Sequence, residues 1–207
     1  MTAAPAPLDG VTLAAVEGGG VRATYPPGVA AAAAAAFDAC AAAGLPIALQ
    51  ERDGEALRGP GPLPTLLALG AVVRNRAAGP FAARYGLPVG TDLDPRVVEW
   101  RLEDDALGRP LLNDATAVAI HAVHEHDLEG LWELTVGANE ALGPWFEARD
   151  LDLIEVALRF GRREDGTVAL LGPFTPATFT VWDLAADDDA TPVPDDRLLA
   201  RLAEGPA

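Results

Sequence analysis

The chain predicts an α+β fold in two lobes, on three observations. "LDLIEVALRF" alternates apolar and polar positions, so Ile154, Val156, Leu158 and Phe160 share one strand face and Glu155, Ala157 and Arg159 the other. Helical stretches over about 28–43 and 127–148 are interspersed among such strands rather than alternating strictly with them. A Pro- and Gly-dense stretch, 52–64, marks the best boundary between lobes.

Residues 1–10 are a Pro/Ala tail, and "VTLAAV" and "VRATY" flank "EGGG" as a short hairpin. The Ala-rich helix over 28–43 is closed by Gly44 with Pro46 beyond it. "RDGEALRGPGPLP" reads as a loop and "LLALGAVVRNR" as a strand. "GPFAARYGLP" is a short helical turn, "RVVEWRLEDD" a strand and "LGRPLLNDA" a loop. After the second helix come a strand, an Asp-Gly turn in "REDG", a strand over "TVALLG", and "GPFTPATFTVWD", a strand–Pro turn–strand segment. An acidic loop over 184–196 precedes a short terminal helix, and no internal repeat is visible.

With 207 residues, half of them hydrophobic, the chain can bury a core of its own. A net charge of −16 argues against nucleic acid or an anionic membrane as partner, because both demand clustered positive charge. All fifteen basic residues are Arg; without a Lys there is no Schiff base and no phosphate-loop lysine. A lone Cys40, in an Ala-rich helix, reads as a buried small hydrophobe and excludes a disulfide framework. The Ala run is too short and weakly apolar to span a bilayer, and no signal peptide is read, so a cytoplasmic protein is expected.

Val72, Arg74 and Arg76 alternate with Ala71 and Val73, so Arg74 and Arg76 are expected on one face, as an anion clamp or as structural ion pairs. Glu155 faces the same side and is a candidate general base; the alternative is an ion pair. It cannot reach Arg159, four residues along the strand and roughly 13 Å away at 3.3 Å per residue. His121, His124 and His126 cluster before the second helix, with Glu125 four residues after His121; His121 and His124 are candidate proton carriers. A solvated surface is the alternative, and no metal site is expected. "EGGG" reads as a hairpin turn rather than a phosphate nest. Trp100, Trp132, Trp145 and Trp182 read as packing residues, and the "ADDD" run at 186–189 as a solvated loop.

Four segments carry a resemblance: "VVRNRAAG", "RYGLPVGTDLDPRVVEWRLEDDALGRPLLND", "ANEALGPWFEARDLDLIEVALRFGRREDG" and "FTPATFTVWD". In this order they resemble the SAICAR synthetase (phosphoribosylaminoimidazole-succinocarboxamide synthetase) family over roughly residues 64–199. The resemblance implies a two-lobed α+β fold, here with residues 1–62 as a reduced N-terminal nucleotide lobe and 63–207 as the C-terminal lobe. It implies an ancestral reaction in which ATP and magnesium drive the joining of aspartate to the carboxylate of a carboxyaminoimidazole ribotide. It also assigns Arg74 to a ribotide phosphate and retains Arg84 in type, so Arg74, Arg76, Arg84 and Arg159 are the expected substrate-binding residues.

The departures are as informative. The family's phosphate loop holds two lysines where this chain has Gly18, Gly19, Gly20 and Val21. Its Asp, Lys and Glu are Glu155, Ala157 and Arg159 here, and a phosphate-binding Ser is Pro80. Its Asp-Glu, a further Asp and an Arg are Gly172, Pro173, Ala177 and Thr180. Magnesium needs hard oxygen ligands, and these changes remove them. The resulting expectation is a repurposed enzyme without ATP or other cofactor, a lyase, cyclase or isomerase acting on a small organic substrate through Glu155, His121 or His124; a monomer and a homo-oligomer both stay open. The alternatives are a non-catalytic binding protein, and a surviving ATP-dependent ligase with metal ligands relocated among Asp104, Asp105 and Asp114.

Overall fold

The computed structural model describes residues 10–16, 20–62, 64–186 and 191–203. Two antiparallel sheets form the frame. The first runs β1 (Thr12–Val16), β2 (Gly20–Thr24), β4 (Ala56–Pro60), β3 (Glu51–Asp53). The second runs β10 (Phe179–Asp183), β8 (Leu151–Arg162), β5 (Thr65–Arg76), β6 (Asp92–Leu102), β7 (Leu111–Leu112). β9 (Val168–Gly172) shares an edge of β8 with β10: it pairs along 159–162, and β10 along 151–156. Helices α1 (Ala30–Ala42), α2 (Gly79–Tyr85), α3 (Asp114–Ala119), α4 (Leu128–Glu147) and α5 (Asp195–Ala203) complete it.

The segment 52–64 corrects the sequence reading: it holds the β3–β4 hairpin around Gly54, at φ +62°, not an irregular loop. Asp53-Gly54 is the same turn signal as Asp165-Gly166, but the flanks "ER" and "EAL" lack apolar alternation. The reading of 107–115 as loop misses β7 and the start of α3, where the Asn113 side chain accepts from Thr116 N at 2.8 Å. The "EGGG" turn, beyond Gly20, lies outside the described residues, as does most of the 186–189 acidic run.

α4 explains itself: Leu131, Leu134, Ala138, Leu142 and Phe146 recur at helical spacing and are buried. They pack on β8, and α1 packs on α4. β8 is buried over nearly its whole length, so it lacks the half-solvated face that its alternation suggested. Ile154 forms a bulge, since β10 passes from Glu155 to Leu153 in register.

"GPFTPATFTVWD" is a packing hub. Gly172 has φ +86°, and a Cβ there would lie 2.8 Å from the Phe37 ring of α1. Phe174 meets Phe37 edge-on at 4.7 Å and stacks on Phe179 at 5.9 Å; Phe179 meets Phe146 of α4 at 5.0 Å. Gly172, Phe174 and Phe179 thus form the joint between α1, α4 and the second sheet.

Residues 46–48 splice the two sheets. Leu170 N donates to Pro46 O at 2.8 Å and Ala48 N to Leu170 O at 2.9 Å. Beneath them Gly59 admits the chain: a Cβ on it would lie 1.7 Å from Ala48 O. Gly59→Ala is therefore expected to destabilise by at least about 1–3 kcal/mol, the usual cost of overpacking. At roughly 2–4 °C per kcal/mol for a chain of this size, thermal unfolding checks it; an unchanged midpoint would contradict the close approach.

Candidate functional site

Period-2 alternation brings the ionisable groups of three strands to one face of the second sheet: Gly70, Val72 and Arg74 of β5, Glu99 and Arg101 of β6, and Glu155, Ala157 and Arg159 of β8. At one end, Arg74 donates through Nε to Glu99 at 2.7 Å and through Nη1 to Glu155. Arg84 of α2 reaches the other oxygen of Glu99 at 3.2 Å, and the Arg74 guanidinium lies 5.1 Å from the Phe81 ring centroid.

At the other end, Glu103 turns in over Gly70, where a Cβ would lie 2.1 Å from its Oε1. Its carboxylate is fully buried, 2.9 Å from Arg101 Nε and 2.8 Å from Arg159 Nη1, with Arg109 Nε at 3.8 Å. A carboxylate can be buried at that depth only because guanidinium groups replace its water.

Arg74 and Arg76 do not form a clamp. The register shifts between them, so Arg76 leaves the face and pairs with Asp152 at 2.6 Å and Asp92 at 2.9 Å. Glu155 and Arg159 take separate partners, as their spacing requires. His121 sits at φ +59° in the exposed turn after α3, which breaks the helical spacing to Glu125. His124 stacks on His126 with centroids 5.4 Å apart, in solvent. No hydrogen bond or ion pair joins these histidines to Glu155 among the described residues. Cys40 is buried, and burial pushes its thiol up to about 12. Trp100 donates to Asp114 at 2.7 Å and Trp182 is buried, whereas Trp132 is 47% exposed and not a core residue.

Alternation alone could have placed Glu99, Arg101 and Glu103, in "EWRLE", opposite Arg74 and Arg159.

Burial holds the Glu155 carboxyl above the usual carboxylate range, outweighing Arg74, which favours its ionised form. Its contribution to stability is therefore full below about 4.3, the unfolded value, and is lost as pH rises through the higher folded value. Glu155→Gln is expected to flatten the unfolding free energy against pH over that window. A slope unchanged in the variant would assign it to other groups.

Magnesium does not fit this face. Every carboxylate on it faces at least one guanidinium, and no group of three or more His, Cys, Asp or Glu converges among the described residues. The relocated set is not assembled either: Asp104 caps 105–107, Asp105 pairs with Arg109, and Asp114 accepts from Trp100. No helix among the described residues is long and apolar enough to cross a membrane.

The class follows from solved structures of similar fold. A SAICAR synthetase (Type-2) in complex with ADP overlays with a TM-score of 0.81 at 19% identity, covering 97% of this chain and 91% of that one. The Ehrlichia chaffeensis phosphoribosylaminoimidazole-succinocarboxamide synthase gives 0.79 at 17%, covering 96% and 92%. The fold is thus the SAICAR-synthetase-like α+β fold. The family model for SAICAR synthetase matches residues 63–199, and the chain belongs to that family. The phosphoribosylaminoimidazole-succinocarboxamide synthase of Deinococcus deserti is 39% identical over 124 residues, 60% of this chain and 52% of the relative. That of Clostridium beijerinckii is 38% identical over 118 residues, 57% and 50%. The chain spans about half the length of the curated relatives it matches.

These findings overturn the expectation of an ATP-independent lyase, cyclase or isomerase. The relatives are synthases by name, and a neighbour that shares this fold over nearly its whole length carries ADP. Lost side chains argued for lost chemistry, but they do not point to a new reaction.

Proposed function

We propose that the chain is a SAICAR-synthetase-type ligase, joining an amine to the carboxylate of an anionic, ribotide-like substrate at the expense of ATP. What carries this reading is the 39% identity to a synthase over 124 residues. This chain's own contribution is anion recognition. Arg74 and Arg84 lie at the more open end of the face, where Glu155 is the more exposed of the two partners of Arg74. A phosphate or carboxylate entering there displaces Glu155 and takes up charge-assisted hydrogen bonds. Family resemblance gives Arg74 the same task.

The test is ADP release with aspartate, carboxyaminoimidazole ribotide and Mg-ATP, compared with Arg74→Ala. ADP should form only with all substrates present. The variant should lose about 10- to 100-fold in kcat/KM, matching roughly 1.5–3 kcal/mol for a hydrogen bond to a charged group, with circular dichroism confirming its fold. ADP release unaltered by Arg74→Ala would remove the arginine from the substrate site.

A second reading, a binding protein without turnover, is favoured by one observation: each carboxylate on the arginine face is engaged by a guanidinium, and no group of three or more His, Cys, Asp or Glu converges among the described residues. Saturable ribotide binding with no ADP formed would select it.

A further inference from the structure

The open end of the arginine face holds two guanidinium groups and two carboxylates that are not matched evenly. Glu99 engages both arginines, Arg74 Nε at 2.7 Å through one oxygen and Arg84 Nη1 at 3.2 Å through the other, and its side chain is 14% exposed. Among the described residues Glu155 engages Arg74 alone, and its side chain is 31% exposed. Glu155 is therefore the group that an incoming anion displaces, while Glu99 stays and keeps the Arg74 guanidinium oriented.

The fate of the displaced carboxylate follows from its neighbours. Arg74 of β5 and Glu99 and Arg101 of β6 are the charged groups that bear on Glu155. β10, on its other side, sets Thr180 opposite it and brings no charge. Along β8 the next residue on the same face is Ala157, also uncharged. Arg101 is already held by the buried Glu103 at 2.9 Å, and Arg84 by Glu99. Once off Arg74, Glu155 finds no second guanidinium free to take it, and it stands beside both Glu99 and the new anion. Burial already outweighs the pull of Arg74 on this carboxyl. Losing that arginine and gaining a negative neighbour both favour the neutral acid further.

We propose that this end of the face takes up an oxyanion and a proton together, the anion replacing Glu155 on Arg74 and the proton going to the carboxylate it displaces. The proton comes from solvent and adds to a Glu155 carboxylate oxygen; no covalent bond to the anion forms. The inference rests on the anion site of the ligase reading and adds a charge rule to it. Arg74, Arg84, Glu99 and Glu155 sum to zero, so neutralising Glu155 is what leaves the site positive for its ligand. Carboxylates and phosphates fall under the same rule.

The experiment is calorimetric titration of the full chain with sulfate, an oxyanion of constant charge between about pH 6 and 8, in two buffers of different ionisation enthalpy. Near pH 7, binding should take up about one proton per sulfate, and affinity should fall by up to about tenfold per unit as pH rises, the linkage for a single proton. Glu155→Gln keeps the shape of the acid without its charge. It should bind sulfate with no proton uptake and with an affinity that is flat over this range. Arg74→Ala should lose binding, which places the sulfate on this arginine and not at the Arg101–Arg159 end. Circular dichroism checks both folds, and if the glutamine variant does not fold, the parent's proton count still decides. Sulfate binding without proton uptake, or uptake that persists in Glu155→Gln, would overturn the proton coupling and leave the ligase reading standing. Binding that survives Arg74→Ala, or no binding at all, would overturn the inference together with the anion site beneath it.

Discussion

Glu103→Ala should cost this protein about 3–5 kcal/mol of stability, the penalty for stranding a buried charge once its partner is removed. The Glu103 side chain is fully buried and Arg159 is 4% exposed. The alanine variant takes away the carboxylate that the buried Arg159 guanidinium faces at 2.8 Å and that Arg101 and Arg109 also approach. Urea unfolding measures the loss. A second variant separates charge from shape: replacing Glu103 and Arg159 together by Leu should recover much of the loss, since apolar packing often equals or exceeds a buried pair. A midpoint for Glu103→Ala within 1 kcal/mol of the parent, on the scale of exposed pairs, would show the carboxylate to be solvated.

Phe174→Ala is the other large loss expected, about 3–5 kcal/mol, the range for emptying a buried phenylalanine site. Phe174 is 1% exposed and joins Phe37 of α1 to Phe179 and, through it, Phe146 of α4. Its removal should lower the thermal midpoint and erase near-ultraviolet dichroism together, because one aromatic cluster underlies both. The neighbouring position makes a converse point. Gly172→Asp restores the residue type that the family resemblance assigns there, yet it should destabilise rather than restore a metal site. An L-residue at φ +86° costs roughly 1–2 kcal/mol, and the Cβ would press on the Phe37 ring at 2.8 Å. Enhanced stability of Gly172→Asp on adding magnesium would show that the acid can still be accommodated.

Much of this fold was legible because long elements announce themselves. β5, β8 and α4 each repeat their period over ten or more residues, and their placement follows. Short elements did not: β3, β4 and β7 have at most five residues, too few for a period, and exist because neighbours complete their hydrogen bonds. The candidate site was half legible. Strand alternation places Arg74, Glu155 and Arg159 on one sheet face, but the register shift that detaches Arg76 depends on partner strands. The partners Glu99 and Glu103 come from a strand 25 or more residues away. The terminal helix gives the same lesson: Arg197 and Arg201, one turn apart, both donate to Asp183 at 3.0 Å, a pairing settled only in three dimensions.

The backbone splice between residues 46–48 and β9 bears on how the molecule can flex. Two amide hydrogen bonds there tie the first sheet's connecting segment to a strand that itself pairs with β8. Parting the two sheets at this point would have to break both main-chain links. The amides of Ala48 and Leu170, both held in this splice, should therefore exchange their hydrogens for deuterium only when the two sheets part.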